Sequence, residues 1–155
     1  MKDMTINFDA NLFSRNKINN LIEGLTNEQL NTIPNQLNHS IIWNIGHILA
    51  MQQIVVYKLS GQAPAIKEEL VEKYKTGSTA TTAVSDTEID YLKEQLSKTL
   101  DQVKKDYQKG KFKNYKAFTT KAGVEVKNVE DAISFHTFHE GIHLGWIMQL
   151  KKLVQ

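Results

Sequence analysis

Apolar residues recur at helical spacing in four long segments of the chain. The first two segments cover residues 8–25 and 40–60, and the last two cover residues 86–108 and 129–153. In the first and third segments the apolar positions follow i, i+3, i+4, i+7 spacing, which puts them on one face of a helix. The second segment is apolar almost all round and therefore predicts the most buried helix. This pattern predicts an all-α fold in which four helices pack as a four-helix bundle.

Two long connections follow the second and third predicted helices. The first covers residues 62–85 and contains one predicted helical turn at residues 67–74. The second covers residues 111–127, where apolar residues alternate around Gly123 and favour a short hairpin. Because no linker divides the chain, residues 1–155 are expected to form a single domain.

Capping residues mark the starts of a predicted short turn and of two predicted helices. Thr26 precedes Gln29, and Ser85 precedes Glu88, at the three-residue spacing of a capping box. Asn128 is expected to cap the last helix, where acidic residues follow in the first turn.

The composition narrows the classes of function. The 155 residues include no cysteine, so disulfides, thiolate metal ligands and a cysteine nucleophile are excluded. The net charge of +2 is too small to indicate a nucleic-acid partner, and a lysine-rich stretch at residues 104–127 is interpreted as a solvated helix end and loop. The apolar stretch at residues 41–59 is too polar for a membrane span, and the N-terminus lacks the apolar run of a signal peptide. We therefore expect a cytoplasmic location.

Three histidines occupy consecutive core positions of the fourth predicted helix. Its predicted seam advances in alternating steps of four and three through Ala132, His136, His139, His143, Trp146, Leu150 and Leu153. His139 and His143 lie about 40° apart around the helix axis and one turn apart along it, so their rings can converge. An unpaired buried polar ring costs about 1–3 kcal/mol, which favours a metal site over three ordinary core histidines.

The second predicted helix offers a third imidazole to the same ion. His47 lies on its inward side, and facing helices build metal sites inside bundles. Three neutral imidazoles with open coordination positions suit zinc, nickel or iron(II). The spacing therefore predicts one divalent metal ion on His47, His139 and His143.

Residues 139–143 also match H-E-x-x-H, the zinc-protease pattern in which the glutamate is the general base. Common zincins take their third ligand from downstream, whereas residues 144–155 contain no His, Asp or Glu. This disfavours a peptidase. Glu140 lies off the histidine seam and is expected either to hydrogen-bond a histidine ring or to form a salt bridge on the surface.

Two segments resemble the signatures of the DinB/YfiT-like metalloenzyme superfamily. They are NHSIIWNIGHI at residues 38–48 and HEGIHLG at residues 139–145. The resemblance spans almost the whole chain and implies a DinB-like four-helix bundle with one metal ion on three histidines, which carry over to His47, His139 and His143. Many members have a glutamine where this chain has Trp146, so a role of that amide does not carry over.

The resemblance implies chemistry that depends on a thiol. Characterised relatives include S-transferases that use bacillithiol or mycothiol, and a thiol-dependent isomerase. A metal-bound thiol has a lowered pKa, which suits a protein without a cysteine of its own. We therefore expect a metal-dependent thiol S-transferase of detoxification or stress. It would act on a small molecule with a low-molecular-weight thiol such as bacillithiol, and it would form a homodimer, as this family often does.

Other residues receive roles within this hypothesis and within its alternatives. His136 is the candidate catalytic proton acceptor, and Glu140, Trp43 and Asn44 are expected to support the metal ligands. One alternative is a metal-dependent hydrolase with Glu140 or His136 as base. Another is a non-catalytic stress protein, in which His136 or His39 would supply a fourth metal ligand. An open coordination position beside a pocket would favour an enzyme.

Overall fold

The computed structural model of the protein describes residues 1–35, 37–79 and 82–155, so positions 80 and 81 of the predicted first connection lie outside the described residues. The described part is mainly helical, as predicted. Its helices are α1 (Thr5–Ile22), α2 (Asn27–Asn31), α3 (Ile41–Gln52), α4 (Glu68–Tyr74), α5 (Asp86–Gln108) and α6 (Val129–Val154). The predicted hairpin is also present, with strands β1 (Phe118–Thr119) and β2 (Glu125–Val126) paired antiparallel.

The four long helices contact one another in a closed ring. α1 packs against α5 and α6, and α3 packs against the same two helices from its own side. The short helix α4 packs against α3. Every residue of α3 except Met51 is buried, which confirms the prediction that this helix is the most buried. None of the described helices is long and apolar enough to cross a lipid bilayer.

The helical segment that begins with α3 continues past Gln52 with a different pitch. A π-helical turn at Gln53–Tyr57 and a 3-10 turn at Lys58–Ser60 follow Gln52, and Gly61 ends the run with a positive φ of 69°. The side chain of Gln53 is buried, and its Oε1 accepts a hydrogen bond from the backbone N–H of Ala65 at 2.7 Å. The segment predicted at residues 40–60 is therefore helical to its end, but a tertiary contact anchors its last turns.

The inward face of α6 differs from the predicted seam. Trp146 and Leu153 were expected inside, but they are 50% and 61% exposed, whereas Ile147 and Glu140 are fully buried. A strict seven-residue repeat drifts by about 20° per heptad around a straight helix. Along α6 this drift carries Trp146 and Leu153 away from the core, whereas Leu150 of the same seam stays buried. Ile147 takes the place of Trp146 in the core.

Candidate metal centre

Three histidines converge between α3 and α6. Each of His47, His139 and His143 offers a ring nitrogen, and these nitrogens all lie within 4.8 Å of one another. The Nε2 atoms of His139 and His143 are 3.2 Å apart. The ring of His47 lies with its centroid 5.1 Å from that of His139 and 4.7 Å from that of His143. The structure thus brings together the three residues that spacing and resemblance pointed to.

Hydrogen bonds on the outer side of two rings decide which nitrogen faces the centre. The Nδ1–H of His47 donates to the backbone carbonyl of Tyr74 at 2.7 Å. The Nδ1–H of His143 donates to Oδ1 of Asn44 at 2.7 Å, and the amide of Asn44 is held in turn because its Nδ2 donates to the carbonyl of Ser40. An imidazole with a proton on Nδ1 has its lone pair on Nε2. Both rings therefore present Nε2 to the cluster.

Burial keeps the three rings neutral. Loss of water lowers the pKa of His139 to about 3 and that of His143 to about 4, and the neighbouring histidines add to both shifts. The pKa of His47 is lowered as well, chiefly by burial, although its hydrogen bond to Tyr74 works in the opposite direction. Metal ions bind the neutral form of imidazole, so all three rings are in the ligand form at neutral pH.

The donor set fits a divalent transition-metal ion. Two ring nitrogens 3.2 Å apart require a positive centre between them, either a proton on one ring or a cation, because two lone pairs repel. Nδ1 of His139 is buried and has no hydrogen-bond partner among the described residues, so none of their contacts dictates its tautomer. Three imidazoles and no carboxylate suit zinc, nickel or iron(II) better than magnesium or calcium.

Trp43 and Asn44 both contact the ligands, on the same helix as His47. The indole of Trp43 stacks on the ring of His47 with centroids 4.7 Å apart and planes 12° apart. One turn earlier, the ring of His39 stacks on Trp43 at 3.5 Å. His39 lies outside the three-histidine cluster, so within the described residues it does not supply a fourth ligand.

Glu140 is not a surface residue. Its carboxylate is fully buried and pairs with the equally buried guanidinium of Arg15 on α1, with Nε and Nη2 each donating at 3.2 Å. Nη1 of Arg15 also donates to the carbonyl of Leu96 and to Oγ1 of Thr99, both on α5. The nearest histidine nitrogen to Glu140 is Nδ1 of His136 at 3.7 Å, longer than a hydrogen bond. Both expectations for Glu140 are therefore replaced by a buried ion pair.

Arg15 did not enter the sequence argument, although a signal was present. It is the only arginine in a chain whose other basic residues are lysines. It also lies three and seven residues before Ile18 and Ile22, on the inward stripe of the first helix. An arginine extends a planar fork of donors that matches a carboxylate, and it is chosen over lysine for buried pairs.

His136 lies beside the cluster and outside it. Its side chain is 2% exposed, and its Nε2–H donates to the backbone carbonyl of Ile48 at 3.0 Å. Its ring centroid is 6.2 Å from that of His139. Burial lowers its pKa, so the ring is neutral and its lone pair is on Nδ1, facing Glu140. The role of proton acceptor stays a prediction.

A cavity of about 340 Å³ opens beside the cluster. His143 and its partner Asn44 form part of its wall. Among the described residues, its lining consists of Leu37, Asn38, His39, Asn44, His143, Trp146 and Leu150. Its volume lies at the lower end of the range of small-molecule sites.

Comparison with known proteins finds one family. The model of the DinB superfamily matches residues 12–147. The matched range contains Arg15 together with the three histidines of the cluster. No curated protein matches the chain.

Proposed function

This chain belongs to the DinB superfamily, and on that premise we propose that it is a metal-dependent thiol S-transferase with its ion on His47, His139 and His143. The observation that carries the proposal is the cavity of about 340 Å³ directly beside His143. A closed structural site needs no such space, whereas a catalytic site keeps a position open for a substrate.

The protein's own residues hold the ligand geometry. The Tyr74 carbonyl and the Asn44 amide fix the tautomers of His47 and His143, and the indole of Trp43 limits rotation of the His47 ring. A bound divalent ion supplies a Lewis acid that lowers the pKa of a coordinated thiol. Positioned outer partners of this kind commonly account for tenfold to about a hundredfold of metal affinity or activity.

The reaction joins the sulfur of a thiol to an electrophilic carbon. The thiol loses its proton, a carbon–sulfur bond forms, and the bond to the leaving group breaks, with the leaving group taking the electron pair. Because the chain has no cysteine, the sulfur comes from a cosubstrate, for which we propose a low-molecular-weight thiol such as bacillithiol. His136 remains our candidate for accepting the proton.

The H-E-x-x-H match was the most specific support for a hydrolase, and the surroundings of Glu140 do not fit the role of a base. In an H-E-x-x-H enzyme the glutamate acts as a base on water at the metal. Here both carboxylate oxygens of Glu140 accept hydrogen bonds from Arg15 inside the core. Glu140 is also absent from the cavity wall.

The proposed architecture and the proposed oligomeric state also rest on membership of the DinB superfamily. We propose that α1, α3, α5 and α6 form the DinB four-helix bundle as a single domain, which their ring of contacts supports. We also propose a homodimer through the outer face of α6. That face exposes Phe138, Ile142 and Leu153, which lie within about 60° of one another around the helix.

Metal analysis and one conjugation assay test the function. Protein purified without added metal is expected to contain one equivalent of a transition metal, which His47→Ala loses and His39→Ala keeps. The metal-loaded protein is expected to conjugate a low-molecular-weight thiol to a haloarene. Equal metal content in wild type and His47→Ala would contradict the ligand set. Full metal occupancy with no conjugation for any thiol in a panel would contradict the transferase.

A further inference from the structure

The wall of the cavity beside His143 lacks lysine, arginine and carboxylate side chains among the described residues. None of its seven described lining residues is of these types, although the chain carries 36 such residues in total, 19 basic and 17 acidic. A carboxylate or phosphate entering the cavity would lose water and, apart from the proposed ion on His143, would gain no counter-charge from these side chains, which is costly.

Three of the seven described lining residues are apolar. Leu37 and Leu150 contribute aliphatic surface, and the indole of Trp146 is half-exposed at the cavity. Trp146 stands on α6 one turn beyond Ile142, and it is on the part of the helix that the predicted seam placed inside. An indole left open to solvent beside a concave apolar surface offers a face on which a flat ring can stack.

The other four described lining residues are polar, and two of them are engaged in hydrogen bonds. Asn44 accepts from His143 with Oδ1 and donates to Ser40 with Nδ2, so its amide is occupied on both sides. The side chain of Asn38 makes no hydrogen bond to another described residue and lies at the rim. The wall therefore offers a ligand the amide of Asn38 and the imidazole of His39 beside its apolar surface.

We propose that this cavity binds a neutral aromatic small molecule, the electrophilic partner of the thiol, with its ring against Trp146. This inference rests on the proposed function, since it names the substrate class of the same site. The cavity of about 340 Å³ accommodates one or two fused rings with a small polar substituent. A hydrogen bond to Asn38 would orient that substituent.

Direct binding of two probes with the same ring tests the substrate class. We would titrate the protein as purified, at pH 8, with 4-nitrobenzyl alcohol and with 4-nitrobenzenesulfonate, using isothermal calorimetry. Sulfonate and alcohol groups are both weak metal ligands, and repeating the titration after a chelator has removed the metal separates the effect of the wall from the attraction of the ion for the anion. The neutral probe is expected to bind at least about tenfold more tightly than the anion. Equal affinities, or tighter binding of the sulfonate, would overturn the proposal.

Variants at Trp146 test the stacking face. Trp146→Ala is expected to weaken binding of the neutral probe by about tenfold, and Trp146→Phe to retain most of it. Trp146→Lys places a cation at the cavity and is expected to reverse the preference towards the sulfonate. The matched control is Met148→Ala on the same helix, because Met148 is 38% exposed and does not line the cavity. Unchanged affinity in Trp146→Ala, with native helicity by circular dichroism, would exclude stacking at this position.

The two proposals fail separately. Calorimetry measures binding without turnover, whereas metal content and conjugation measure the proposed function. Tight binding of the neutral probe without conjugation would refute the transferase and leave the substrate class standing. Conjugation without preference for the neutral probe would refute only the substrate class.

Discussion

Arg15 and Glu140 form an ion pair that is wholly enclosed, one residue away from a metal ligand. Their side chains are 1% and 0% exposed, and the guanidinium also bonds to two groups of α5. Removing one member of a buried ion pair leaves an uncompensated charge, which typically costs about 3–5 kcal/mol. The pair therefore stabilises the folded state and holds α6 in its orientation against α1 and α5.

We expect Glu140→Gln to keep its metal and to lose stability. The change leaves Arg15 without a counter-charge, so the free energy of unfolding should fall by about 3 kcal/mol, measured by urea denaturation. Thiol transfer at matched metal occupancy should fall by no more than about tenfold. Glu94→Gln, which breaks an exposed pair with Lys98, is the control and should change stability little. A thousandfold loss of activity with unchanged stability would make Glu140 a catalytic base.

Asn44 should contribute to metal affinity through His143. Asn44→Ala removes the acceptor for the Nδ1–H of His143, so the ring is free to turn and to change tautomer. Metal affinity is expected to fall by about tenfold to a hundredfold, measured by competition with a chelator. Asn44→Asp keeps an acceptor oxygen and should restore most of it. The exposed Asn20→Ala is the control, and an equal loss there would contradict the role.

The contact between α3 and α4 depends on close packing at Gly46. A Cβ on Gly46 would lie 2.5 Å from ring carbons of Tyr74, whose backbone carbonyl accepts the proton of His47. The absence of a side chain at Gly46 therefore allows the close approach that brings an acceptor to the ligand. Helix packing and ligand orientation depend on the same residue.

Gly46→Ala should reduce both stability and metal affinity. The methyl group must displace the Tyr74 ring, and overpacking of this kind costs about 1–3 kcal/mol. Gly141→Ala is the matched control, since no atom lies within 4 Å of its added Cβ. That substitution in a helix should stabilise by up to about 1 kcal/mol. Denaturation and chelator competition on both variants measure the effects, and equal outcomes would contradict the packing argument.

The stability of the whole molecule should depend on pH through its buried histidines. The folded pKa values of His139 and His143 are about 3 and 4, below the ordinary value of about 6.5. Between these limits the unfolded chain binds more protons than the folded one, so the free energy of unfolding falls as pH falls. The contribution of these histidines to the free energy of unfolding is fully present above pH 6.5 and is lost progressively towards pH 4.

Denaturation of the metal-free protein between pH 7.5 and pH 4.5 checks this dependence. We expect a lower free energy of unfolding at each step below about pH 6.5. His143→Asn removes one of the titrating groups and should give a shallower dependence. Identical slopes in the two proteins would show that other groups govern the effect.

Contacts between residues only a few positions apart in the chain could be predicted from the sequence. The third helix was predicted at residues 86–108 and is observed at Asp86–Gln108, because one apolar stripe and the cap of Ser85 define it. The predicted cap of Asn128 is also observed. His139 and His143 converge because helical geometry alone puts them on adjacent turns. Interactions at spacings of three and four residues need no knowledge of the partner helix.

Contacts between distant segments were decided only by the tertiary structure. Glu88 was expected to complete its capping box, but its carboxylate binds Lys73 and Tyr74 of α4 instead. The rotation of α6, which buries Glu140 and exposes Trp146, depends on which helices flank it. The pairing of Glu140 with Arg15 spans 125 positions of the chain. Helical periodicity determines which residues share a face, whereas the packing of neighbouring helices determines what that face meets.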